Sequence, residues 1–235
     1  MDKKVYTWED FRKIIARLRA PEGCPWDREQ THESLRSCMI EEAYEAVEGI
    51  RILSETGDCT NLREELGDVL MQVFLHSQIA EEEGLFDLED VVDGISRKMI
   101  YRHPHVFGNA QADTPEKVLH NWEELKKKEK GDPTPEEDIS SVPRCLPALI
   151  RTQKIQKKLE KYYGAFQNDA DSSAQAAEAL EALKKEADPE KTKELAGELL
   201  LQICNLLRLK GIRGEEALGD ALENLLKIYE IKESP

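Results

Sequence analysis

Four acids stand in two pairs, each pair three residues apart: Glu42 with Glu45, and Glu65 with Asp68. Residues three apart share one side of an α-helix, and an antiparallel helical hairpin brings two such sides together, so the spacing predicts a pocket of four carboxylates. The plain alternative is a solvated charged face, and the helical phase decides between them. With about 100° per residue from Leu35, the apolar side of the first helix is Leu35, Cys38, Met39, Ala43, Ala46, Ile50 and Leu53; Glu42 falls inside that arc and Glu45 at its edge. In the second helix Val69 and Val73 lie on one side and Leu75 and Ile79 on the other, with Glu65, Asp68 and Gln72 in the gap between them. Acids that interrupt core faces need a cation, and none stands at those positions. An oxygen-only ligand set without His or Cys suits Mg²⁺, with Mn²⁺ as the alternative, and either takes phosphate oxygens readily. A di-iron bundle would need Glu-x-x-His, but Glu45, Glu48, Asp68 and Met71 follow the four acids at that spacing.

The elements that position these acids are two long helices, IEEAYEAVEGIRIL and LREELGDVLMQVFLHSQIA, joined by a turn, SETGDCTN. Thr7, with Asp10 three residues later, opens a helix to about Arg19, and the turn APEGCPWD leaves Cys24 and Trp26 in a loop. Asp87 caps a helix from Leu88 to about Tyr101, which carries Lys98 and Arg102 on one face before Pro104 stops it. Thr114-Pro115-Glu116 is a third strong helix start, and its helix places Trp122 and Lys126 four apart, an aromatic face beside a cation. His103 and His105 lack ligand-spaced partners and read as structural.

Charge and cysteine usage narrow the function classes. With 33 basic and 48 acidic residues the net charge is -15, which repels nucleic acid and anionic membrane. No run of 18 apolar residues and no apolar leader occur, so the expectation is a cytoplasmic protein. Five cysteines without a C-x-x-C pair read as reduced thiols.

Sparse Gly and Pro and long amphipathic segments predict an all-α chain. The acidic, Pro-rich stretch around 132–141 reads as a linker between a first domain at 1–131 and a second at 142–235. The second half repeats the first: EALEAL from Glu178 matches EAYEAV from Glu42, and ELAGELLLQI from Glu194 matches EELGDVLMQV from Glu64. Glu178, Glu181 and Glu198 take the places of Glu42, Glu45 and Asp68, but Leu195 replaces Glu65, and Leu225 and Tyr229 replace Lys98 and Arg102. The second site is therefore expected to be degenerate.

The pattern E-E-x-x-E (Glu41, Glu42, Glu45) followed by E-x-x-D (Glu65, Asp68) resembles the signature of MazG-type nucleoside triphosphate pyrophosphohydrolases of the all-α NTP pyrophosphatase superfamily. GCPWDREQTHESL, RHPHVFG and VPRCLPALIRTQKIQKK are similar to stretches of the tandem-domain bacterial members. The resemblance implies two tandem MazG-like helical-bundle repeats, a homodimer, and Mg²⁺-dependent cleavage of NTP or dNTP to the monophosphate and pyrophosphate. On that reading Glu42, Glu45, Glu65 and Asp68 hold the metal, and Glu41 or Glu45 accepts the proton of the attacking water. Lys98 and Arg102 clamp the pyrophosphate, Trp122 stacks the base, and Lys126 adds a phosphate contact. The alternatives are a narrow relative, acting on dUTP, dCTP or phosphoribosyl-ATP, and a helical assembly module with weak turnover.

Overall fold

The computed structural model describes residues 5–129, 131 and 133–229, without the side chains of Glu123 and Lys127. Asp132, the first residue of the expected linker, and both chain ends lie outside the described residues. Among the described residues every regular element is a helix, and none is long and apolar enough to cross a membrane. The chain divides into two compact units, Met1–Leu125 and Lys126–Pro235.

The first unit holds α1 (Trp8–Arg19), α2 (Pro25–Glu29), α3 (Arg36–Thr56), α4 (Thr60–Glu82), α5 (Leu88–Arg102), α6 (Pro104–Phe107) and most of α7 (Pro115–Glu129). Both expected caps form as reciprocal boxes. The Asp10 N–H donates to Thr7 Oγ1 at 3.3 Å and the Thr7 N–H to Asp10 Oδ2 at 3.0 Å, and Asp87 and Asp90 do the same for α5. Ile15 of α1, Leu35 before α3, Phe74, Leu75 and Ile79 of α4 and Leu88 of α5 form the core, with Trp8 and Phe11 set edge-on against Phe74 at 4.5 and 4.9 Å. Each such buried side chain contributes about 1.5–3 kcal/mol over its exposed state, which locks α1 and the last turns of α4 together.

Hairpin α3–α4 is the unit's longest packed pair. Gly57 takes φ 79° at the end of α3, returning its N–H to Leu53 O at 2.9 Å, and Asp58 then accepts from the Thr60 N–H at 2.9 Å to start α4. A second glycine sets the helix separation. A Cβ on Gly49 would stand 2.7 Å from Leu62 Cα and 2.9 Å from Leu62 N, so only glycine lets the backbones approach this closely. The inward line of α3 differs accordingly from the apolar arc: Leu35, Ala46 and Gly49 are buried, whereas Ala43 and Ile50 are exposed. Trp26 also departs from the loop expectation. Pro25 starts the short α2, and Trp26 on it is 60% exposed.

The second unit holds α8 (Pro135–Ser140), α9 (Ala148–Tyr163), α10 (Asp169–Leu183), α11 (Pro189–Leu209) and α12 (Gly214–Ile228). Hairpin α10–α11 corresponds to α3–α4 in the internal repeat, but its interior is more polar. Asn205, with no exposure, donates to Ser172 Oγ at 2.8 Å, and Gln156 donates to Leu201 O at 2.8 Å. The stretch read as a linker contains α8, because Pro135 sits at the first helical position and Thr134 and Glu137 form a capping box. Asp138 pins α8 to α9 through Lys158, Lys161 and Tyr162. Burial pushes its carboxyl up, but the hydrogen bonds from Lys158 and Tyr162 and the two ammonium charges outweigh that and hold it at about 2.

Candidate metal and nucleotide site

One oxygen each of Glu42 and Glu45 on α3 and Glu65 on α4 lie within 4.8 Å of one another. Glu42 and Glu65 are half-buried and Glu45 is exposed, so the cluster opens to solvent on one side. Asp68 is half-buried and brings no oxygen into that group, yet its charge is felt by both Glu42 and Glu65. Glu41 is exposed beside them.

The electrostatics are those of a site short of positive charge. Burial, then Asp68 and Glu45, raise the Glu42 carboxyl above its ordinary range, against a hydrogen bond from Gln72. Burial, then Glu45 and Asp68, raise Glu65 against a hydrogen bond from Asn61, whose Nδ2 donates to Glu65 Oε1 at 2.9 Å. One turn further along α3 the opposite holds. Arg51 pairs with Glu48 and Glu55, and its hydrogen bond lowers Glu48. The helix therefore neutralises two of its acids internally and leaves Glu42 and Glu45 without a cation among the described residues.

The residues present fit a hard divalent ion. The candidate donors are all carboxylate oxygens on two facing helices, and Gln72, 2% exposed, has a buried Oε1 with no hydrogen-bond partner among the described residues. Gln72 is legible in the sequence only as a polar residue in the gap of α4. Gly49 and Asn61, which set the hairpin spacing and hold Glu65, carry no motif signal beyond their residue types.

The expected substrate contacts lie on α5 and α7. Lys98 is exposed, whereas Arg102 is 8% exposed, with its guanidinium carbon 5.1 Å from the centre of the Trp122 ring. The structure thus brings Arg102 and Trp122 together as a stacked pair. Trp122 also lines an open groove with Ala112, Pro115, Val118 and Leu119, and Lys126 is half-buried one turn further along α7. In the second repeat Glu181 pairs with Lys184 at 2.6 Å and Glu198 accepts from Gln202 at 2.6 Å; no acid cluster like that of α3 and α4 occurs there among the described residues.

Fold and site together define an all-α protein of tandem helical hairpins, the first of which gathers three carboxylates from two facing helices. Residues 30–107 match the MazG nucleotide pyrophosphohydrolase domain, a span that takes in all five acids, Lys98 and Arg102. The chain is 39% identical over 222 residues to the nucleoside triphosphate pyrophosphohydrolase/pyrophosphatase MazG of Thermotoga maritima, covering 94% of this chain and 84% of that one. It is 38% identical over 216 residues to the nucleoside triphosphate pyrophosphohydrolase of Escherichia coli K12, covering 89% and 81%. Bacillus subtilis YabN is 50% identical over 153 residues, and this match spans only 30% of that longer protein. The chain belongs to the MazG family.

Proposed function

We propose that the protein hydrolyses nucleoside triphosphates and deoxynucleoside triphosphates to the monophosphate and pyrophosphate, with Mg²⁺, or Mn²⁺ in its place. The observation that carries this reading is the convergence of Glu42, Glu45 and Glu65 within 4.8 Å, with no cation paired to them among the described residues. Membership of the MazG family, whose Thermotoga and Escherichia relatives are named for this activity, supports it.

Glu42, Glu45, Glu65 and Asp68 would hold the ion, which when bound polarises phosphate oxygens and lowers the pKa of water. Glu41 or Glu45, the two exposed acids, takes the proton of the attacking water. Lys98 and Lys126 meet phosphate oxygens by charge. Arg102, backed by Trp122, offers a planar fork that matches a phosphate, and the Trp122 groove is the stacking surface for the base. A homodimer is part of this reading. Ile40, Tyr44 and Val47 form an exposed stripe on α3, and Val91, Val92, Ile95 and Met99 form another on α5, the kind of surface a second copy covers.

The test is product analysis by phosphorus NMR across ATP, GTP, dGTP, dCTP and dUTP with Mg²⁺. The expected products are monophosphate and pyrophosphate from several of these. Diphosphate with orthophosphate, or no turnover of any nucleotide, contradicts the proposal.

A further inference from the structure

Gln72 is the one long polar side chain of α4 that is sealed from solvent beside the acids, at 2% exposure, one turn after Asp68 and two after Glu65. Its amide is within hydrogen-bonding reach of the Glu42 carboxyl across the hairpin, and its buried Oε1 meets no donor among the described residues. A buried acceptor left empty is destabilising, and a donor arriving with a bound ion would relieve it. The repeat supplies an internal comparison. Gln202 occupies the matching place on α11 and is equally buried, at 3% exposure, but its nitrogen donates to Glu198 on its own helix at 2.6 Å and to Gln175 at 2.7 Å. Both glutamines reach across their hairpins: Gln202 meets the amide oxygen of Gln175 on α10 and Glu198 on its own helix, whereas Gln72 meets the carboxyl of Glu42.

We infer that Gln72 is a positioning residue of the carboxylate site: its amide N–H orients Glu42, and its free oxygen accepts a hydrogen bond from water carried on the bound cation. The inference rests on the reading of the carboxylates as a metal site. A carboxamide serves both ends, because it donates to a carboxylate and accepts from a polarised water at the same time. Mg²⁺ and Mn²⁺ keep several waters in carboxylate sites, and such waters are strong donors that need fixed acceptors.

The test is Mn²⁺ titration, followed by electron paramagnetic resonance, of the nucleotide-free full chain and of Gln72→Met and Gln72→Glu, with melting curves taken without metal. Gln72→Met keeps the volume and removes both polar ends. It is expected to weaken Mn²⁺ binding roughly 10- to 100-fold, while the metal-free melting temperature stays within about 3 °C of the parent or rises. Gln72→Glu keeps an acceptor oxygen but loses the N–H that orients Glu42, and is expected to bind Mn²⁺ more weakly than the parent. The inference is overturned by parental affinity in Gln72→Met or in Gln72→Glu, or by a steep fall in the metal-free melting temperature of Gln72→Met, which would make the amide a packing element. A parent that binds no Mn²⁺ would instead overturn the metal site itself, so the two failures are distinct.

Discussion

Glu42 and Glu65 both bind protons more readily in the folded chain than in the unfolded one, because burial and neighbouring acids penalise their charge. The sign follows: without metal, stability is lost as pH rises through the ordinary carboxylate range towards their raised values. Glu65→Gln is therefore expected to abolish turnover and weaken Mn²⁺ binding while leaving metal-free stability at pH 7 unchanged or higher, measured by denaturant unfolding. Loss of activity wholly explained by unfolding contradicts it. A second titration belongs to His76, whose Nδ1 lies 2.8 Å from that of His32, with Glu83 3.9 Å from His32 Nε2. Burial and then His32 push His76 below its usual value of about 6.5. Stability from this group is complete above about pH 6.5 and falls on acidification, and His76→Asn should flatten the unfolding profile below about pH 6.5. A parental slope in that variant contradicts the assignment. The acids were legible in the sequence because a spacing of three is a property of one helix. The His32–His76 contact was not, since it joins residues 44 apart through a packing register that no local pattern encodes.

At the scale of elements, the working part is hairpin α3–α4, and the distance between its helices decides whether acids on both can share one point. Gly49 sets that distance. Gly49→Ala forces a methyl against the Leu62 backbone, which cannot give as a flexible side chain can, so it should cost about 1–3 kcal/mol despite alanine's better helix propensity. Mn²⁺ affinity should fall with it as Glu42 and Glu65 move apart. A variant as stable as the parent, with parental Mn²⁺ binding, contradicts the close-approach account. Helix starts at Thr7, Asp87 and Thr114 were readable because a cap is a local hydrogen-bond pattern. Gly49 was not, because within a helix glycine reads only as a propensity penalty and its use depends on the facing backbone. Helix α8 was hidden for a related reason: six residues are too few for periodicity to show, and it is fixed by the contact of Asp138 with α9.

At the scale of the whole molecule, the second hairpin repeats the first with its acids altered. The first keeps acids with no cation paired to them among the described residues. The second has turned its acids to local pairs, Glu181 with Lys184 and Glu198 with Gln202, and buries Asn205 and Gln156 in hydrogen bonds that hold its shape. This asymmetry was legible in Leu195, which stands where Glu65 does, but what Glu181 and Glu198 do instead depends on the rotamers of their neighbours. The account rests on the claim that the first hairpin alone holds the catalytic ion. The most direct measurement is an anomalous difference map from crystals of the full chain grown with Mn²⁺ and a non-hydrolysable α,β-methylene nucleotide. The account predicts a peak bounded by Glu42, Glu45 and Glu65, and none beside Glu178, Glu181 and Glu198. A peak at the second set, or none at the first, would contradict it.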